Sequence, residues 1–93
     1  MNAKNKLINQ IKIVINYLEV TYQERERTKI LELIYMRYRN ALRLLENNMA
    51  NKDNLHINGG VRAYTDSYND YNNPLLEEMY KAEKLVKEVF YPR

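Results

Sequence analysis

The segment HINGGVRAY, residues 56–64, contains the only two glycines of the chain, Gly59 and Gly60. The 58 residues before them include no glycine and no proline, the two residues that most weaken a helix interior. The part that follows is shorter and rich in tyrosine. This break indicates an all-α fold. We expect a small antiparallel helical bundle of three to four helices, with two long helices, one short helix and one C-terminal helix in a single domain, residues 1–93.

An apolar stripe at the start of the chain predicts a first helix from about Ala3 to Val20. The stripe has helical spacings of four, three and four residues, and its members are Leu7, Ile11, Val14 and Leu18. Ile13 and Val20 fall on the opposite side of this helix. There they are either exposed or in contact with something else, so we take both as interface candidates.

The passage from the first helix to the second allows two interpretations. Thr21 and Glu24 match a capping box, which predicts a turn near Thr21 and a new antiparallel helix. Alternatively, a single long helix continues through residues 24–29, which include no apolar residue. We favour the turn, because the heptad pattern of the first helix does not continue through Arg25 and Thr28.

The second helix is predicted from about Tyr22 to Met49. Its apolar residues cover roughly 200° of the circumference at ~100° per residue, about twice the arc that a helix at the edge of a domain needs. We therefore expect this helix to contact at least two neighbours, in the same chain or across a dimer.

Three further segments complete the chain. Residues 47–60 are rich in asparagine and predict a loop, and a short helix should follow from about Val61 to Tyr71. Asn73 is a suitable N-cap and Pro74 suits the first helical position, so a C-terminal helix should begin there and stop at Pro92.

The aromatic residues of the chain are nine tyrosines, one phenylalanine and no tryptophan. Tyr64, Tyr68 and Tyr71 recur at helical spacing and share one face. They either cover the core with their hydroxyl groups in water or form a binding surface, since tyrosine suits both positions. We take the three as interface candidates; base stacking is a weaker alternative, because stacking platforms usually lie on sheets.

Two charged residues interrupt apolar arcs. Arg37 lies within the apolar arc of the second helix, and Glu83 lies within that of the C-terminal helix. Charges are rarely buried without a partner. The sequence therefore predicts a buried or interface ion pair between Arg37 and Glu83, within a chain or across a dimer. The alternative is that each side chain extends separately to the rim.

The sequence contains no pattern of residues that indicates a catalytic site or a metal site. The chain has no cysteine and one histidine, His56, in a polar loop. Asp66, Asp70 and Glu77 have the spacing of some EF-hand ligands, but Tyr71 stands where the loop requires glycine. We expect no catalytic residue, no metal and no cofactor, and hence no enzyme.

The charge distribution is mildly asymmetric. Residues 1–48 carry a net charge of +4 and residues 49–93 a net charge of −1, for a total of +3. Glutamates are interspersed with the arginines of the second helix, so any nucleic-acid binding should be weak and non-specific. No stretch approaches the ~18 apolar residues of a membrane span. We expect a cytoplasmic protein without a membrane partner.

These observations favour a small helical protein–protein interaction or regulatory module without catalytic activity. The broad apolar arc of the second helix, with Ile13 and Val20, predicts a homo-oligomer, most simply a dimer; the protein partner is not identified by the sequence. The first alternative is a weak nucleic-acid-binding regulator. An immunity- or antitoxin-like protein is a further alternative, based only on size, charge and helical content.

Overall fold

The computed structural model describes residues 2–22, 27–51, 53–68 and 72–91. These residues form no strand. They form four α-helices: α1 (Ala3–Thr21), α2 (Lys29–Glu46), α3 (Gly60–Ser67) and α4 (Pro74–Phe90). The predicted bundle, with two long helices, a short helix and a C-terminal helix, is confirmed.

Helix α1 lies between α2 and α4, and these two contacts are the most extensive in the bundle. Side-chain hydrogen bonds join Gln10 to Glu78 and Tyr17 to Asn73, so α1 and α4 are antiparallel. The short helix α3 packs on α2 and α4. The most extensive contact between two helices thus joins the first helix of the chain to the last.

The predicted stripe of α1 forms part of the core, with all four of its members fully buried. Gln10 is also buried, and its Nε2 donates to the backbone carbonyl of Glu78 at 2.9 Å. Asn2 caps the helix by accepting from the amide of Asn5 at 2.8 Å. No helix in the described ranges is long and apolar enough to cross a membrane.

Two helices, rather than one long helix, occupy the first half of the chain. Thr21 still belongs to α1, because the amide of Tyr22 bonds the carbonyl of Leu18 at 3.1 Å. The predicted cap at Thr21 is therefore wrong, and Glu24 lies outside the described residues. Thr28 is the cap of α2, and its Oγ1 accepts from the amide of Leu31 at 3.3 Å.

Helix α2 ends at Glu46, three residues before the predicted end at Met49. Asn48 has a φ of 56°, a left-handed conformation that a helix cannot continue through and that asparagine tolerates better than most residues. Within the chain α2 contacts both α1 and α3, which confirms that it needs more than one neighbour. The loop after α2 adds Leu55 and Ile57 to the core.

The second half differs from the prediction mainly in the length of α3. This helix ends at Ser67, because Tyr68 is extended with φ −134° and ψ 147°. The start of α4 agrees with the prediction. Asn73 is the cap, its Oδ1 accepts from the amide of Leu75 at 3.0 Å, and Pro74 is the first helical residue.

Candidate interaction surface

Asn73 connects three parts of the bundle through a polar cluster, which we call the Asn73 cluster. Its members are Asn73, Tyr17, Tyr22 and Tyr64. Asn73 Nδ2 donates to the hydroxyl oxygens of Tyr22 and Tyr64, both at 2.8 Å. Its Oδ1 accepts from the hydroxyl of Tyr17 at 3.1 Å, in addition to capping α4. Both donors and both acceptor positions of the amide are thus used inside the chain.

The tyrosine face of α3 is only partly a surface. Tyr64 is buried, so its assignment as an interface candidate is wrong: the Asn73 cluster holds its hydroxyl and the core covers its ring. Tyr68 is half-buried, stacks on Tyr64 with ring centroids 4.7 Å apart, and shares a hydrogen bond with Thr28. Tyr71 lies outside the described residues. Tyr64 and Tyr68 thus both lie over the core, but the hydroxyl of Tyr64 is buried against Asn73 and not in water as the covering alternative assumed.

Glu83 provides the N-terminal cap of α3 from a different helix. Its Oε1 accepts from the amide of Gly59 at 3.2 Å, and its Oε2 accepts from the amide of Val61 at 3.0 Å. Gly59 has no side chain to cap the helix itself, and its φ of 89° favours glycine. A carboxylate at this end also interacts favourably with the helix dipole.

The predicted ion pair between Arg37 and Glu83 does not form within the chain. Both residues are described, and no ion pair joins them. The carboxylate of Glu83 is instead occupied by backbone amides, which replace a cation as the compensation for its partial burial. Contact between Arg37 of one copy and Glu83 of another stays a prediction.

A buried tyrosine lies beside this cap. Tyr38 is fully buried in the core, and its hydroxyl has no hydrogen-bond partner among the described residues. Burial raises the pKa of Tyr38, and the nearby carboxylate of Glu83 raises it further. The Tyr38 ring also lies 3.8 Å from where a Cβ on Gly60 would be, so the ring, the cap and the start of α3 are close together.

Arg37 lies in a shallow groove on the outward side of α2. Two depressions meet at Met36 to form this groove, which we call the α2 groove. One is lined by Met36, Arg37, Asn40, Leu55, His56 and Asn58. The other is lined by Arg27, Thr28, Lys29, Glu32, Leu33 and Met36. Leu33 is 41% exposed and Met36 is 61% exposed, although helix exteriors are usually polar.

The α2 groove has an excess of positive charge. Glu32 is neutralised by Arg27, whose Nε lies 2.6 Å from its carboxylate and whose guanidinium covers the Tyr35 ring at 4.3 Å. Lys29 and Arg37 form no ion pair or hydrogen bond with any residue in the described part of the chain. The free cations therefore remain available to an outside group.

Ile13 and Val20 are placed on the outer side of α1, as their positions in the sequence indicate. They are 47% and 72% exposed, and the spacing of seven residues puts them on the same face. Within the described residues there is no group of three histidine, cysteine, aspartate or glutamate side chains that could hold a metal ion. His56 is exposed at the edge of the α2 groove.

Two features were missed in the sequence. The cap on α3 carries no local signal, because Glu83 lies far along the chain from Gly59. The α2 groove did leave a signal: Leu33 and Met36 stand among polar neighbours on the side of α2 opposite its buried stripe. Arg37 was predicted to pair with Glu83, but within the described residues it pairs with no side chain.

Almost the whole chain is similar in sequence to known proteins. The family described as YeeD uncharacterised protein matches residues 2–91. A relative from Bacillus subtilis (strain 168), the uncharacterized protein YeeD, is 33% identical over 96 residues, which cover 95% of this chain and 93% of the relative. No solved structure matches the chain. The match along almost the whole length of both sequences shows that the chain belongs to the YeeD family.

Proposed function

We propose that the protein is a small helical interaction module without catalytic activity of its own, which acts in the cytoplasm by binding a protein partner and by associating with itself. The observation that carries this proposal is the exposure of large apolar side chains on the outward faces of α1 and α2. Their burial would release water from apolar surface, which is the main driving force of protein association.

The core supports this interpretation of the exposed residues. The inward stripes of α1, α2 and α4 are buried, so Leu33 and Met36 are not needed to complete the bundle. Each buried methylene group contributes ~0.8 kcal/mol, so a partner that covers these side chains gains several kcal/mol. A single exposed apolar residue is ordinary, whereas neighbouring exposed apolar residues in a groove, here Leu33 and Met36, are typical of a binding surface.

Self-association fits the outer face of α1 better than the α2 groove. Ile13 and Val20 lie one heptad apart, and a two-fold antiparallel contact would place Ile13 of one copy against Val20 of the other. Asn9 and Asn16 flank them without adding charge. A two-fold contact through the α2 groove would instead bring Arg37 close to its own copy, and like charges oppose such a contact.

Sedimentation velocity at micromolar concentration tests the proposal. We expect a dimer for the unmodified chain and a monomer for the double variant Ile13→Lys/Val20→Lys. Tyr80→Lys is the matched control, because Tyr80 is exposed on α4 and should leave the dimer intact. An 11 kDa species alone at all concentrations would reject self-association.

A further inference from the structure

We propose that the α2 groove binds an acidic amphipathic helix of a partner protein. This inference rests on the proposed function as a protein-binding module, but it does not depend on self-association through α1. The occupant follows from the shape, the exposed apolar side chains and the charge of the groove.

The shape of the groove fits a short helix. Its lining residues along α2 run from the N-cap Thr28 to Asn40, which at ~1.5 Å per residue is roughly 18 Å, the length of about three helical turns. Leu33 and Met36 are three residues apart, and Leu55 borders the groove from the loop that follows α2. A partner helix with apolar residues at the same periodic spacing would pack against the exposed side chains of Leu33 and Met36.

The positive charge of the groove favours a partner helix with acidic residues beside its apolar stripe. Lys29 lies seven residues, about two helical turns, before Met36, and Arg37 follows Met36 directly. Both are free of ion pairs in the described residues. The guanidinium of Arg37 offers a planar set of donors that suits a carboxylate, and Asn40 and Asn58 line the groove beside it. Carboxylates beside the apolar stripe of the partner helix would therefore meet Lys29 near one end of the groove and Arg37 near its middle.

A second copy of the chain does not offer such a helix. The outward side of α4 carries Lys81, Lys84 and Lys87 among its glutamates, and α1 carries Lys6 and Lys12. Neither of these helices presents an acidic face with an apolar stripe. The occupant is thus a different protein.

A nucleic acid fits the groove less well than a helix does. Its phosphates would meet the two cations, but the exposed side chains of Leu33 and Met36 would face a polar backbone. Glu32 adds a carboxylate to the same surface. Electrostatic attraction to phosphates needs several cations without intervening acids.

A displayed peptide library tests the proposal on the full chain. The library consists of three-turn peptides with apolar residues fixed on one helical face and every residue type allowed elsewhere. We expect the selected peptides to be enriched in aspartate and glutamate beside the apolar stripe. Arg37→Glu should weaken their binding on the order of tenfold or more, because it replaces attraction by repulsion.

Two further variants separate the groove from general effects. Met36→Asp should also abolish peptide binding, since it replaces the most exposed apolar side chain of the groove by a charge. Lys84→Glu makes the same change of charge on α4 and should leave the affinity unchanged. Circular dichroism on each variant checks that the fold is retained, which we expect because the substituted positions are exposed or half-buried.

Five results would overturn the inference. The first is that no peptide is selected, and the second is that the selected peptides are not acidic. The third is that Lys84→Glu weakens binding as much as Arg37→Glu. The fourth is that Met36→Asp dissociates the dimer, which would make a second copy the occupant. Duplex DNA binding that is lost in Arg37→Glu and retained in Met36→Asp would assign the groove to nucleic acid instead.

The same variants keep this inference distinct from self-association. A dimer without peptide binding would leave the interaction module in place and reject the acidic helix. Peptide binding by a monomeric chain would reject the dimer and leave the α2 groove as the binding surface.

Discussion

In the Asn73 cluster every polar atom of the amide is hydrogen-bonded within the chain, whereas in the α2 groove the guanidinium of Arg37 has no partner in the described residues. Both sites place a polar group beside apolar side chains. In the Asn73 cluster the amide of Asn73 links α1, α3 and α4, and all its donors and acceptor positions are used in these links. In the α2 groove the hydrogen-bond donors of Arg37 are not used within the described residues and can bind another molecule.

This difference separates a structural role from a binding role better than the type of residue does. A buried polar group must find its partners during folding, because a lost hydrogen bond in the interior costs free energy. A half-buried polar group at the surface is still hydrated, so it does not need a hydrogen-bond partner within the chain. Mutations in the Asn73 cluster should therefore change the free energy of unfolding, and mutations in the α2 groove should change binding.

The largest loss of stability is expected for Asn73→Ala. The change removes a helix cap, worth ~1 kcal/mol, and removes the hydrogen bonds between the Asn73 amide and three tyrosine hydroxyls, which adds ~1–3 kcal/mol. We expect a total loss of ~2–4 kcal/mol in chemical denaturation. Asn2→Ala is the matched control, because exposed Asn2 only caps α1. Equal losses for the two variants would mean that the Asn73 cluster contributes nothing beyond capping.

Glu83→Ala is expected to be the next most destabilising change, at ~1–3 kcal/mol, because two backbone amides lose a charged acceptor. The loss should be localised, with faster amide hydrogen exchange at Gly59 and Val61 and little change in α1. Glu88→Ala provides the control, since Glu88 is exposed on the same helix. Unchanged exchange at both amides would show that Glu83 does not cap α3.

The two buried tyrosines should respond in opposite directions to removal of the hydroxyl. Tyr64→Phe should cost ~1–2 kcal/mol, because Asn73 loses a hydrogen-bond acceptor. Tyr38→Phe should be neutral or stabilising by up to ~1 kcal/mol, because it removes a buried hydroxyl without a partner. Thermal unfolding of the two variants side by side measures the difference. A loss for Tyr38→Phe as large as that for Tyr64→Phe would contradict it.

The pH dependence provides a second measurement on Tyr38. Burial raises the pKa of its hydroxyl above the ordinary value of about 10, so the folded state holds the proton longer than the unfolded state does. The resulting contribution to stability is complete below pH ~10 and falls as the pH rises further. Tyr38→Phe should reduce this alkaline loss, whereas Tyr80→Phe, at an exposed position, should not.

The smallest effect on stability is expected for Arg37→Ala. Without an ion pair in the chain its removal should cost less than ~0.5 kcal/mol, as for other surface substitutions. The double variant Arg37→Ala/Glu83→Ala should show additive changes within ~0.5 kcal/mol in the monomer. Strong non-additivity that appears only at concentrations where the chain dimerises would place the predicted pair between two copies.

The parts of the fold that depend on neighbouring residues were predictable from the sequence. The stripe of α1 follows from helical periodicity, and the start of α4 follows from Asn73 and Pro74, whose effects act within one turn. Boundaries were less accurate at the ends of α2 and α3. There the left-handed conformation of Asn48 and the extended conformation of Tyr68 end each helix without a proline or glycine.

The parts that depend on distant residues were not predictable in the same way. Periodicity placed Tyr64 on a face with Tyr68, but only the packing of α3 against α4 determines that this face points inward. Arg37 and Glu83 were paired because opposite charges attract. The amides of α3 provided a closer partner for the carboxylate, and no sequence pattern reveals an acceptor that caps a different helix.

The packing of α1 against α4 also has a consequence for synthesis. A ribosome completes α1 and α2 first, yet the largest partner of α1 is the last helix to be made. Until residues 74–90 have left the exit tunnel, Leu7, Ile11 and their neighbours in α1 have only α2 to cover them. The nascent chain must therefore keep an apolar helix partly uncovered during translation, and the bundle closes only after α4 has emerged.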